Sequence, residues 1–127
     1  MIRSLVLAAL VALALAAAGS AAATPHLITC SGAKVVRPKG LFVLACADAN
    51  AQIDHTTWKT WTATGAAGTT TLGLNLCVPN CAASKMSFFP KSPVRLAAPK
   101  HGVFTKVIVT YVLKGKRHSF VGYPRTS

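Results

Sequence analysis

The chain has 127 residues and sets 14 Lys and Arg against 2 acidic residues, a formal net charge of +12 at pH 7. That length suits one small domain with a modest core. The acids are Asp48 and Asp54 with no Glu, so glycosidase chemistry, which places two carboxylates across a bond, would have to use both, and Asp48 sits in a turn sequence. The positive field favours anionic partners such as phosphate head groups, teichoic-type polymers, acidic sugars or nucleic acid, and it speaks to association rather than to fold.

Met1-Ile2-Arg3 carries one positive charge, residues 5–18 are an unbroken Leu/Val/Ala run, and Gly19-Ser20-Ala21-Ala22-Ala23 supplies small residues. These are the three parts of a secretory signal. The apolar run falls short of the roughly 18–20 residues that span a bilayer. Residues 1–23 read as a cleaved signal peptide and residues 24–127 as a single exported domain, with no transmembrane span after cleavage. Leu27-Ile28-Thr29-Cys30 faintly resembles a lipoprotein box, but Thr29 is large for its position and Thr24-Pro25-His26 breaks the apolar run.

Segments 27–29 and 34–36 read as one strand, Arg37-Pro38-Lys39-Gly40 as a turn, and 41–46 as an apolar strand. Asp48 and Asn50 carry short polar side chains that hydrogen-bond their own backbone and close a turn. Residues 45–53 are the one stretch suited to a helical turn. Segment 56–64, rich in Thr and Trp, reads as a strand ended by Gly65-Ala66-Ala67-Gly68. In 70–77, Leu72, Leu74 and Leu76 share one face and Thr71, Gly73 and Asn75 the other.

Pro79 and the flanking cysteines form a loop. Phe88-Phe89-Pro90 and segment 93–97 read as edge or irregular strands, because Pro cannot donate to a ladder. Segment 103–113 is the strongest strand, Lys114-Gly115-Lys116-Arg117 the hairpin turn, and 118–121 the return, with 125–127 frayed. Short strands separated by turn signals predict an all-β fold, a small disulfide-stapled antiparallel β-sandwich or barrel.

Cys30, Cys46, Cys77 and Cys81 form an even set, which in a small exported chain reads as a disulfide framework. Three connectivities are open. A Cys77–Cys81 bridge would close a very small loop, so the expectation leans towards pairing both with Cys30 and Cys46. Cys77-Val78-Pro79-Asn80-Cys81 is wider than the knuckles of tetrahedral zinc sites, and the sequence implies neither metal nor cofactor.

Trp58 and Trp61 are three apart, which in a regular strand aims them at opposite faces. That would leave one in the core and one exposed to a sugar or a lipid interface; the competing account packs both.

Cys46-Ala47-Asp48-Ala49-Asn50, Trp58-Lys59-Thr60-Trp61 and Asn75-Leu76-Cys77-Val78-Pro79-Asn80-Cys81-Ala82, followed by Pro93-Val94-Arg95-Leu96, resemble a family of small exported actinobacterial, mycobacterial-type proteins over about residues 27–113. Its pattern is roughly C-A-D-G-N, W-x-x-W and N-x-C-x-P-x-C-A, then a Pro-Val strand. The resemblance implies export, disulfides and a β-rich domain, and carries no established activity. This chain has Ala49 where that family has Gly, and Thr62 where Gly often follows the second Trp.

Lys34, Arg37 and Lys39 form one basic cluster, and Lys114, Lys116 and Arg117 with His118 another, both in predicted turns. They suit a non-catalytic cell-envelope module that docks on anionic polymer or a lipid surface; the competing account is ordinary solvated turn composition. An exported location disfavours nucleic acid, whose binding would be phosphate-directed and steeply salt-dependent. The alternative is a secreted hydrolase such as a small ribonuclease, using histidines among His26, His55, His101 and His118 for general acid–base chemistry. A nucleophilic Ser motif and a phosphate-cradling Gly loop are absent from the sequence.

Overall fold

The structure is a computed structural model and describes residues 23–127. The predicted signal peptide therefore lies outside the described residues, apart from Ala23. The elements are β1 (Leu27–Ile28), β2 (Lys34–Val35), β3 (Phe42–Val43), β4 (Ala51–Trp61), β5 (Ala66–Asn75), β6 (Met86–Lys100), β7 (Val103–Leu113) and β8 (Lys116–Gly122). The fold is all-β. Strands β3 to β8 form a six-stranded antiparallel meander in chain order, and β1 and β2 form a separate two-stranded antiparallel sheet. The larger sheet curls without closing into a barrel: Gly122 on β8 faces Leu44 just past β3, but no ladder joins those ends.

Alternation puts Leu72 and Leu74 of β5, Val94 and Leu96 of β6, and Val107 and Val109 of β7 on the inner face, with Leu27, Phe42, Ile53 and Phe104 completing the core. The apolar area removed from water there contributes about 25 cal/mol per Å². The small sheet docks through a parallel bridge between His26 and Val103, where the His26 N–H donates to the Gly102 carbonyl and the Phe104 N–H to the His26 carbonyl, each at 3.0 Å.

Strand β4 departs most from simple alternation. Its register with β5 slips between Asp54 and Thr57 and again between Trp58 and Thr60, inserting His55 and Lys59 as bulge residues. The inward set thus becomes Ile53, Thr56, Trp58 and Trp61, so the two tryptophans do not face apart and the account that packs both is the one the structure has. Their rings meet edge to face at 4.9 Å, and Trp61 meets Phe104 at 5.3 Å. The Trp58 indole N–H donates to the Pro38 carbonyl at 2.9 Å and that of Trp61 to the Pro25 carbonyl at 2.8 Å. Both tryptophans therefore pack inward and pin the N-terminal segment to the sheet.

The expected cysteine pairing is also corrected. The bridges are Cys30–Cys46 and Cys77–Cys81. Cys30 and Cys46 lie in the turns after β1 and β3, with Cα atoms 5.4 Å apart. Cys77, with φ 57°, reverses the chain so that its Cα comes 3.8 Å from that of Cys81. The Asn75 amide organises that loop, donating to the Cys81 carbonyl and to the Asn50 side chain, and accepting from the Cys77 N–H. Asp48 closes its predicted turn by accepting from the Asn50 N–H at 3.1 Å. The Ala49 N–H reaches the Ala45 carbonyl at 2.8 Å in a single helical turn, after which β4 begins.

Three further expectations are revised. Gly68, expected to end a strand, lies inside β5. The β7–β8 hairpin turn is only Lys114-Gly115, both at positive φ as a type I′ turn requires, so Lys116 and Arg117 belong to β8. Arg125, expected to be frayed, donates from its guanidinium to the Cys30 carbonyl at 2.9 Å.

Candidate functional site

The segments expected as separate edge strands form one continuous strand, β6, of 15 residues. Only Val94, Arg95 and Leu96 are paired on both sides: β5 pairs with β6 as far as Leu96, and β7 pairs with it only from Val94 onward. Pro90, Pro93 and Pro99 all fall where β6 has at most one neighbour, the places a sheet tolerates a residue without an N–H. A register slip between β5 and β6 surrounds Lys91, whose φ is 53°.

Below Val94 the two strands part while each keeps its other neighbour. The opening is a cleft of about 680 Å³. Phe88, Phe89 and Lys91 of β6 line one side, and Tyr111, Val112 and Arg117 the other. Phe89 and Tyr111 meet at 4.7 Å between ring centroids, and Tyr111 stacks on His118 at 5.4 Å. Phe88 stands 59% exposed at the mouth. An aromatic wall beside an Arg and a Lys offers flat apolar faces and cationic donors together. The acids lie elsewhere: Asp48 is in the turn before β4, and Asp54 is on β4 beside His55 at 3.6 Å. Strand β5 separates β4 from β6.

The predicted basic clusters occupy separate places. Lys34 is on β2, and Arg37 and Lys39 follow it, all exposed, in the segment held to β4 by a 3.0 Å bond from the Thr56 N–H to the Lys39 carbonyl. Lys114, Lys116 and Arg117 are exposed on the β7–β8 hairpin, and Arg117 reaches the cleft. The sequence reading did not find Lys91, Phe88, Phe89 or Tyr111 as site residues. The available signal was Phe88-Phe89-Pro90-Lys91-Ser92-Pro93, where two prolines deny a long strand its second neighbour.

The histidines do not form one group. His55 is a β4 bulge residue and His118 is on β8, with β5, β6 and β7 between them in the sheet. His101 is in the turn joining β6 and β7, and His26 bridges to Val103 with its Nε2 buried and without a hydrogen-bond partner. Among the described residues no three His, Cys, Asp or Glu side chains gather as a metal site. No helix among them is long and apolar enough to cross a membrane. Comparison with protein-family models, curated proteins and solved structures finds no match.

Proposed function

We propose that this is an exported, non-catalytic binding module of the cell envelope whose β6–β7 cleft seats an anionic group. The observation that carries this reading is the split between the two strands, where Phe88 and Tyr111 stand beside Lys91 and Arg117 with no carboxylate among the cleft residues. Two disulfides support an oxidising location, and the excess of cations supports an anionic partner.

The test is binding of the exported, oxidised protein to anionic envelope polymer at about 0.15 M salt, where screening acts over roughly 8 Å. Saturable binding should weaken at least about tenfold, roughly 1.4 kcal/mol, when Lys91 and Arg117 are both changed to Glu. The pair Lys34→Glu and Arg37→Glu should change it little. Equal loss from both pairs would mean that charge acts without a site. RNA cleavage abolished by His118→Ala, with folding intact, would replace this reading with the hydrolase.

A further inference from the structure

The outer face of β6, β7 and β8 is mixed, with exposed apolar side chains set among cations and the paired Thr110 and Ser119. Register aligns Arg95, Ile108 and Val121 in one row across these strands, and sets Val112 beside Arg117 and Lys106 beside Ala97. Val112 is 59% exposed and Val121 41%. Phe88 stands across the cleft from Val112 at one end of the face. Tyr123, 72% exposed, stands beside Lys106 at the other, in a second cleft of about 690 Å³ that Lys100 and His101 also line. Four of the exposed large apolar side chains thus lie along this one face, interleaved with Arg95, Lys106 and Arg117.

The geometry points to this face as a docking surface for an anionic lipid bilayer, an assignment that rests on the envelope-binding reading and names its partner. Charge complementarity chooses the occupant. A second copy of the chain would set Arg95, Lys106 and Arg117 against their own kind, which costs rather than stabilises. A soluble polyanion would pair with the cations but leave the valines and both aromatic rings in water. A bilayer interface satisfies both sets, taking apolar side chains and ring edges into the headgroup boundary while phosphates meet the cations.

The experiment is co-sedimentation of the exported, oxidised protein with phosphatidylglycerol-containing vesicles, with phosphatidylcholine vesicles as control and soluble envelope polymer as competitor. Partitioning should require the anionic lipid. It should fall roughly thirtyfold when Lys106 and Arg117 are both changed to Gln, about fivefold per cation. Changing Val112 and Val121 to Asp should abolish the part that resists added salt. The milder pair Val112→Thr and Val121→Thr, which keeps shape and strand propensity, should weaken it with thermal unfolding unchanged. Vesicle binding indifferent to the valine pairs, or absent while soluble polymer still binds, overturns the bilayer assignment and leaves the cleft reading standing. Binding to neither overturns both.

Discussion

Gly68 and Ala49 show how narrowly single residues fix this fold. A side chain at Gly68 would run into the Thr57 carbonyl oxygen and lie 3.0 Å from the Trp58 Cα. Both are backbone atoms of the β4 bulge and have no rotamer to yield. Gly68→Ala should therefore cost about 3 kcal/mol, measured by denaturant unfolding; a loss within experimental scatter would show that the bulge moves aside. Ala49 presents the opposite case, an L residue held at φ 53°. Left-handed backbone costs a non-glycine residue roughly 1–2 kcal/mol, part of which glycine returns as unfolded-state entropy. Ala49→Gly should stabilise by about 1 kcal/mol in the same assay, and an unchanged midpoint would count against strain there. The turn around Ala49 was legible in the sequence from Asp48 and Asn50, whose short polar side chains close turns. The positions of Trp58 and Trp61 were not legible, because the extra residues His55 and Lys59 reset the alternation that a period of two assumes.

At the scale of elements, strands with one clean period were readable and those that changed neighbours were not. The expected strand at 103–113 matches β7, and the alternation of 70–77 captures the inner face of β5. Strand β6 resisted because its prolines argue for an edge, and it is an edge over most of its length, first towards β7 and then towards β5. The cleft followed from that exchange of neighbours, so it could not be placed before the topology was known. Bridge pairing was likewise a question of which turns come together. The consequence is an unequal contribution from the two disulfides. Cys30–Cys46 spans a sequence separation of 16 and ties separate sheets, whereas Cys77–Cys81 spans 4 within one loop. The chain-entropy relation gives about 3 kcal/mol for the first and about 2 for the second. Replacing Cys30 and Cys46 with Ser should lower stability more than replacing Cys77 and Cys81. Equal losses, read from chemical unfolding of the two variants, would mean that the local loop does more than close itself.

For the whole molecule, charge and fold pull in opposite directions. With 14 Lys and Arg against 2 acids, compaction brings like charges together, and self-repulsion weakens the folded state. Among the described residues few ion pairs exist to be lost on screening: the one such contact joins His55 and Asp54. Added sodium chloride should therefore raise the unfolding midpoint as the Debye length contracts from roughly 30 Å at 0.01 M to about 8 Å at 0.15 M. A protein held by surface ion pairs would respond in the opposite sense. An anionic ligand that selects the folded state adds a second, saturable gain, about 2.7 kcal/mol at a hundred times its Kd. Thermal unfolding across a salt series, with and without soluble anionic polymer, separates the two effects. Screening raises the midpoint in every variant, whereas the ligand increment should fall by at least about half in the Lys91→Glu and Arg117→Glu protein. If that protein keeps the increment, the cations act as a diffuse cloud and the parting of β6 from β7 is not the binding seat. If the increment falls while the salt response persists, the charge has two separable roles: a general field over the surface, and a specific one where a strand gives up a neighbour.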